Sequence, residues 1–250
     1  MSASMNTFLF AEPSQHYLNY GSLVLHEIVA KNKGAGQIIT ELIGDDANPD
    51  KIKQELNALN PIVFCIIGHG SETTITAECT AKLFDTSSPD LNLLAKRVCS
   101  FCSCLTAVYF GPAIIDAGAV AYTGYKTEFW FFIGDAPGST RAVQSPFLAE
   151  FEFIASLLRG SSTGVARSDQ LKKCDEEIAY WISGEGKNHE SAGELSRILE
   201  MNKANSVFLG EGGVSPSSGA VAAAGFSSWP WVLAFLITGV LAYRELKGKS

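Results

Sequence analysis

Charge is scarce in this chain, and an excess of positive charge is absent. Asp, Glu, Lys and Arg make up 18 % of the 250 residues and sum to −7. With 46 % of its residues apolar, the chain has too much to bury and too little charge to stay disordered. The acidic balance offers no basic face to backbone phosphates, which argues against a nucleic-acid binder. Cysteine is sparse too. Six spread over the whole length make no disulfide scaffold and fit a reduced compartment. No collagen, coiled-coil or solenoid period is present. The opening stretch, MSASMNTFLFAEPSQ, lacks the basic flank and the apolar length of a signal peptide. What remains is length for one good core, or two small ones.

Charge is missing altogether from residues 212–243, a run of 32. Its most apolar part, WVLAFLITGVLAY at 231–243, reaches only about 20 Å as a helix, short of a bilayer. Extension back to Gly219 gives 25 uncharged residues, which is enough. Pro230 is tolerable inside such a span. Trp229, Trp231 and Tyr243 suit its interfaces, and Arg244, Lys247 and Lys249 form a basic stop. The expectation is a single-pass C-terminal membrane anchor with the preceding domain in the cytoplasm, although the basic flank argues for the opposite orientation. The bland alternative is an apolar helix docked on the domain or a partner. The chain thus divides into a domain at 1–209, a Gly/Ser/Ala linker at 210–228, a transmembrane core at 229–243 (from 219 at its longest) and a basic tail at 244–250.

Within the domain, strand and helix patterns alternate. Strands are expected at 7–10, 37–43, 61–67, 97–102, 119–123 and 206–209. Helices are expected at 21–31, 49–59, 107–117, 143–158, 169–182 and 190–203. The run PIVFCII is apolar throughout, the mark of a strand buried on both faces. Such alternation predicts an α/β fold, a three-layer sandwich around a mostly parallel sheet. In these folds the working residues gather beyond the C-terminal strand ends.

Two residues stand there. Gly68-His69-Gly70 follows the buried strand, so His69 has backbone room around it. Ser103-Cys104 follows the next strand, just before a predicted helix whose N-terminus would favour a thiolate. On adjacent strand ends, His69 can take a proton while Cys104 attacks a carbonyl. The backbone N–H groups of Gly70 and Cys104 are the expected oxyanion donors. Cys102, two residues earlier on the same face, is the rival nucleophile. A zinc site of Cys99, Cys102, Cys104 and His69 is disfavoured, because Cys99 points to the other face of the strand. Cys65, Cys79 and Cys174 read as core or surface thiols. Asp45, Asp46, Glu72, Lys126, Glu128 and Asp135 read as surface charges near the same edge, and none is assigned as a third catalytic member. The aromatic run 129–132 either walls a substrate pocket or is covered by a helix. The glycines of 34–36 and 160–164 lack the strand-to-helix setting of a phosphate loop.

The segments PIVFCIIGHG and RVCSFCSCLTAVYFGPAIIDAGAVAYTGY resemble the caspase-like cysteine peptidases of the gingipain, caspase and CHAT superfamily. The likeness covers residues 60–130, and residues 1–60 by strand order alone. His69 matches the family's His-Gly histidine, and Cys104 matches its nucleophile. Their interval of 35 residues is nearer to gingipain-like members than to caspases. Caspases carry Gln-Ala-Cys before a glycine, whereas this chain has Cys-Ser-Cys-Leu-Thr-Ala, so cleavage after aspartate is not implied. The resemblance implies a sheet of about six strands with the pair at the ends of the third and fourth. It also implies a peptide or protein substrate, a thioester intermediate and no required cofactor, although some relatives bind calcium. A caspase-like module without activity, serving as an interaction or signalling scaffold at a membrane, is the alternative from another class. A doubly wound ligand-binding domain without chemistry is a weaker third.

Overall fold

The structure, a computed structural model, describes residues 7–13, 18–133 and 140–216. In chain order its main elements are β1 (Thr7–Glu12), α1 (Asn19–Asn32), β2 (Ile38–Ile43), α2 (Pro49–Leu59), β3 (Val63–Ile67), β4 (Thr74–Thr76), β5 (Lys82–Asp85), β6 (Val98–Cys102), α3 (Phe110–Asp116), β7 (Ala121–Tyr125), α4 (Arg141–Leu158), α5 (Thr163–Ile182), α6 (Ala192–Asn205) and β8 (Ser206–Gly210). Six strands form one sheet in the order β2-β1-β3-β6-β7-β8, and β4 pairs with β5 in a separate hairpin. All pairings in the large sheet are parallel except β7 with β8. The expected α/β class with a mostly parallel sheet is what the chain forms.

The strand alternation sorts the core. Leu9, Ala11, Phe64, Ile66, Cys99, Phe101 and Tyr122 pack with Ile52 and Leu56 of α2 and with Phe110 and Ile114 of α3. Their neighbours face the other way, toward α1 and α4. There a Cβ on Gly21 of α1 would stand 2.9 Å from the Phe147 ring of α4 and 3.3 Å from Ile67. β3 and β6 are buried along their whole length, as central strands covered on both faces must be. β2, at the edge, leaves Ile38 and Ile43 more than half exposed. α2 starts as its sequence predicts. Asn48 accepts from the Lys51 N–H, Pro49 follows, and Asn60 ends the helix in the left-handed region at φ 47°.

Three local readings are corrected. The β4–β5 hairpin was not expected, because strands of three and four residues with polar flanks carry no periodic signal. α3 begins at Phe110 rather than 107, since residues 103–109 form a tight turn pinned to β7. α5 begins at Thr163 rather than 169, capped by the Ser162 side chain accepting from the Val165 N–H. Gly164, discounted in a glycine-rich loop, sits in that first turn, where a Cβ would meet the Gly212 carbonyl at 2.9 Å.

Residues 211–216, the start of the segment read as a linker, stay on the domain. The Gly212 and Val214 carbonyls accept from the Gly164 and Thr163 N–H groups, and Ser215 donates to the Gly160 carbonyl at 2.8 Å. Among the described residues no helix is long and apolar enough to cross a membrane. The expected membrane segment, the basic tail and the rest of the linker lie outside the described residues.

Candidate active site

β3 and β6 run side by side in a register that pairs Ile67 with Cys102, and the Gly68 N–H extends the contact to the Cys102 carbonyl at 3.2 Å. Two residues beyond each lie His69 and Cys104. The His69 ring is exposed, while its carbonyl is held by the Thr76 N–H at 3.0 Å and the Thr76 hydroxyl at 3.1 Å. Gly70 bridges to Ile75 between the Ser71-to-Thr74 and Thr76-to-His69 hydrogen bonds, so its own N–H points away from the hairpin. Gly70 has to be glycine. A Cβ there would stand 2.4 Å from the Cys104 carbonyl oxygen and 2.6 Å from Thr106 Cγ2. The chain after His69 therefore lies directly against the Cys104 turn.

That turn is fastened from two sides. Below it, Tyr122 donates to the Thr106 hydroxyl at 2.8 Å, which bonds the Ser103 hydroxyl at 3.0 Å. Beside it, Leu105 adopts φ 62°, strained for a branched side chain, and is held by its N–H to the Thr127 carbonyl at 2.9 Å. The Ala107 N–H reaches the Tyr125 carbonyl at the same distance, 2.9 Å. The segment after β7 is equally fixed. Asn202 of α6 accepts from the Trp130 N–H at 3.0 Å and donates to its carbonyl at 2.6 Å. Phe129 thereby turns inward onto Tyr125 and Phe147, with ring centroids 4.9 and 5.5 Å apart, and Trp130 stays 48 % exposed. Of the two readings of the aromatic run, the structure supports cover by a helix, since α4 covers Phe129 and Phe131, while Trp130 faces outward.

The electrostatics differ from the expected helix-activated thiolate. The first N–H groups of α3 are turned to another acceptor, with Tyr109 and Phe110 both donating to the Glu72 carbonyl at 3.1 and 2.9 Å. Burial pushes the Cys104 thiol up. The Phe129 and Cys104 backbone N–H groups at its sulfur offset this in part, and Glu128 adds to it. Cys104 is thus a half-buried thiol that favours its neutral form. Cys102 is 3 % exposed, and burial followed by the nearby Glu150 charge pushes it well above the usual thiol range. Of the two rivals, only Cys104 is open to a substrate. Cys79, also exposed, sits in the β4–β5 turn beside Glu78 and Asp45.

Other groups fall as follows. Cys99 lies in the core between the sheet and α2–α3, opposite to Cys102, and among the described residues no three His, Cys, Asp or Glu side chains gather as a metal site. Lys126 and Glu128 are exposed at the rim, Glu72 serves through its carbonyl, and Asp135 lies outside the described residues. A charged cleft lined by Glu152, Arg159, Asp169, Lys172, Lys173 and Glu176 lies along the α4–α5 pair, and its ions pair with one another. The sequence reading missed three groups. The Phe129 N–H belongs to a backbone and has no side-chain signature. Glu12, at the end of β1, is 1 % exposed with Oε1 unpartnered, and burial, with Glu41 nearby, pushes its carboxyl up to about 8. Glu150 is buried against Tyr125 and Gln170, and its burial pushes it up to about 7. Neither glutamate carries a sequence pattern that separates it from a surface acid. A scan against protein-family models and a search of curated proteins return no match.

Proposed function

We propose that the chain is a caspase-like cysteine endopeptidase in which Cys104 attacks the peptide carbonyl and His69 takes the thiol proton. The sulfur forms a thioester as the amine leaves with that proton, and water then releases the acid. The Gly70 and Cys104 N–H groups serve the oxyanion, and the uncharged C-terminal segment holds the enzyme at a membrane. One observation carries this reading: His69 and Cys104 end adjacent parallel strands in register, with the Gly70 backbone against the Cys104 turn. A neutral thiol fits a mechanism in which imidazole removes the proton during attack, rather than one that starts from a standing ion pair.

A second reading has its own support. The raised Cys104 thiol and the capped start of α3 favour a catalytically silent module that acts as a scaffold. Hydrolysis of a mixed peptide library by the full chain, followed by mass spectrometry, separates the two. The peptidase reading expects cleavage that Cys104→Ala abolishes, that His69→Ala slows by about 10²–10⁴-fold, and that Cys102→Ala leaves in place. Cleavage undiminished in Cys104→Ala, or none from any folded sample, overturns it; the second outcome installs the scaffold.

A further inference from the structure

The strand end that presents Cys104 carries a second thiol beneath it. The three residues at this end alternate. Ser103 turns to Thr106 and Tyr122, on the α3 side of the sheet. Cys102 faces the opposite side, where Glu150 and Cys65 lie. The Cys104 sulfur meets the Phe129 N–H, and the Phe129 ring packs on Tyr125 and Phe147 of that same side. Cys102 and Cys104 therefore share a face, one thiol buried and the other half open to solvent. Two residues of extended chain advance about 6.6 Å, within the Cα separation of roughly 4.4–6.8 Å that a disulfide spans. A straight strand holds the Cβ atoms of such a pair too far apart for the roughly 3.5–4.5 Å that a disulfide needs, and the chain is not straight here: it bends at Ser103 and Cys104.

We propose that Cys102 and Cys104 form a reversible intrachain disulfide, so that a peroxide closes the Cys104 thiol and a dithiol reopens it. Hydrogen peroxide transfers an oxygen to the Cys104 sulfur, giving a sulfenic acid and one water. The Cys102 sulfur attacks that sulfur, the S–S bond forms as the S–O bond breaks, and the hydroxide leaves as water with the Cys102 proton. Cys102 cannot meet the oxidant itself, so Cys104 is the entry point and Cys102 the resolving partner. The inference stands apart from the peptidase reading, because it needs only an accessible thiol with a neighbour.

The test oxidises the full chain with hydrogen peroxide at pH 8, blocks free thiols, and maps the tryptic peptide 98–126, which holds Cys99, Cys102 and Cys104. The expected product is two hydrogens lighter, with fragment ions placing the bond between Cys102 and Cys104. Dithiothreitol reverses it, and it persists in Cys99→Ala. In Cys102→Ala, Cys104 proceeds to sulfinic acid instead. The proposal fails if Cys104 reaches sulfinic acid equally fast in both proteins, if it pairs with Cys65 or another molecule, or if it is not oxidised. The wild-type fragment map decides the matter even if Cys102→Ala fails to fold. Because the readout is mass, an absence of peptide hydrolysis leaves it unaffected.

Discussion

Gly70 is the residue on which the candidate site turns. Gly70→Ala drives a methyl into the Cys104 carbonyl, and backbone cannot yield as a flexible side chain can. Overpacking of this kind costs about 1–3 kcal/mol, and a shift of about 1 Å at a reacting group costs about 10²-fold in rate. The expected outcome is a folded protein with a modestly lower Tm and peptide hydrolysis reduced by about that factor, checked by thermal melts and library turnover. The juxtaposition of His69, Gly70 and Cys104 was legible in the sequence because a glycine-flanked histidine and a cysteine each follow an apolar strand, and the two strands are neighbours. The state of the Cys104 thiol was not. It depends on burial, on the Phe129 N–H and on the Glu128 charge, all set by loops that residue patterns do not specify.

At the scale of elements, the apolar runs β3 and β6 were plain from sequence, and a mostly parallel sheet followed from the strand–helix alternation of the domain as a whole, although β4 and β5 rather than an α-helix connect these two. The β4–β5 hairpin and the true start of α3 were not, since short polar strands and a turn with a left-handed Leu105 carry no period. The clamp between α6 and the segment after β7 is a contact of the same hidden kind. Asn202 is 5 % exposed and satisfies both backbone groups of Trp130. Asn202→Ala leaves those groups without their partner, at about 1–3 kcal/mol. Its Tm should fall accordingly, and amide exchange at Phe129 and Trp130 should rise while that of β3 and β6 stays slow. Unchanged exchange at Phe129 and Trp130 would show that the aromatic segment is held by packing alone.

For the whole molecule, the two buried acids set the pH response. Glu12 and Glu150 keep their protons in the folded state to about 8 and about 7, whereas both have an ordinary value of 4.5. Between these values the unfolded chain has lost protons that the folded chain still binds, so stability falls as pH rises. Their contribution is complete below about pH 4.5 and is lost as pH climbs through about 7 for Glu150 and about 8 for Glu12. Melts at pH 5, 6, 7 and 8 should show Tm declining, and Glu12→Gln should gain more at pH 8 than at pH 5. A flat or rising Tm would mean that these carboxyls reach water. The central claim is chemical, and intact-mass analysis of the full chain, acid-quenched within milliseconds of mixing with a peptide library, tests it most directly. The account predicts an acyl adduct on Cys104 in the wild type, strongly reduced in His69→Ala and absent in Cys104→Ala. No adduct, or one on Cys79, would contradict it.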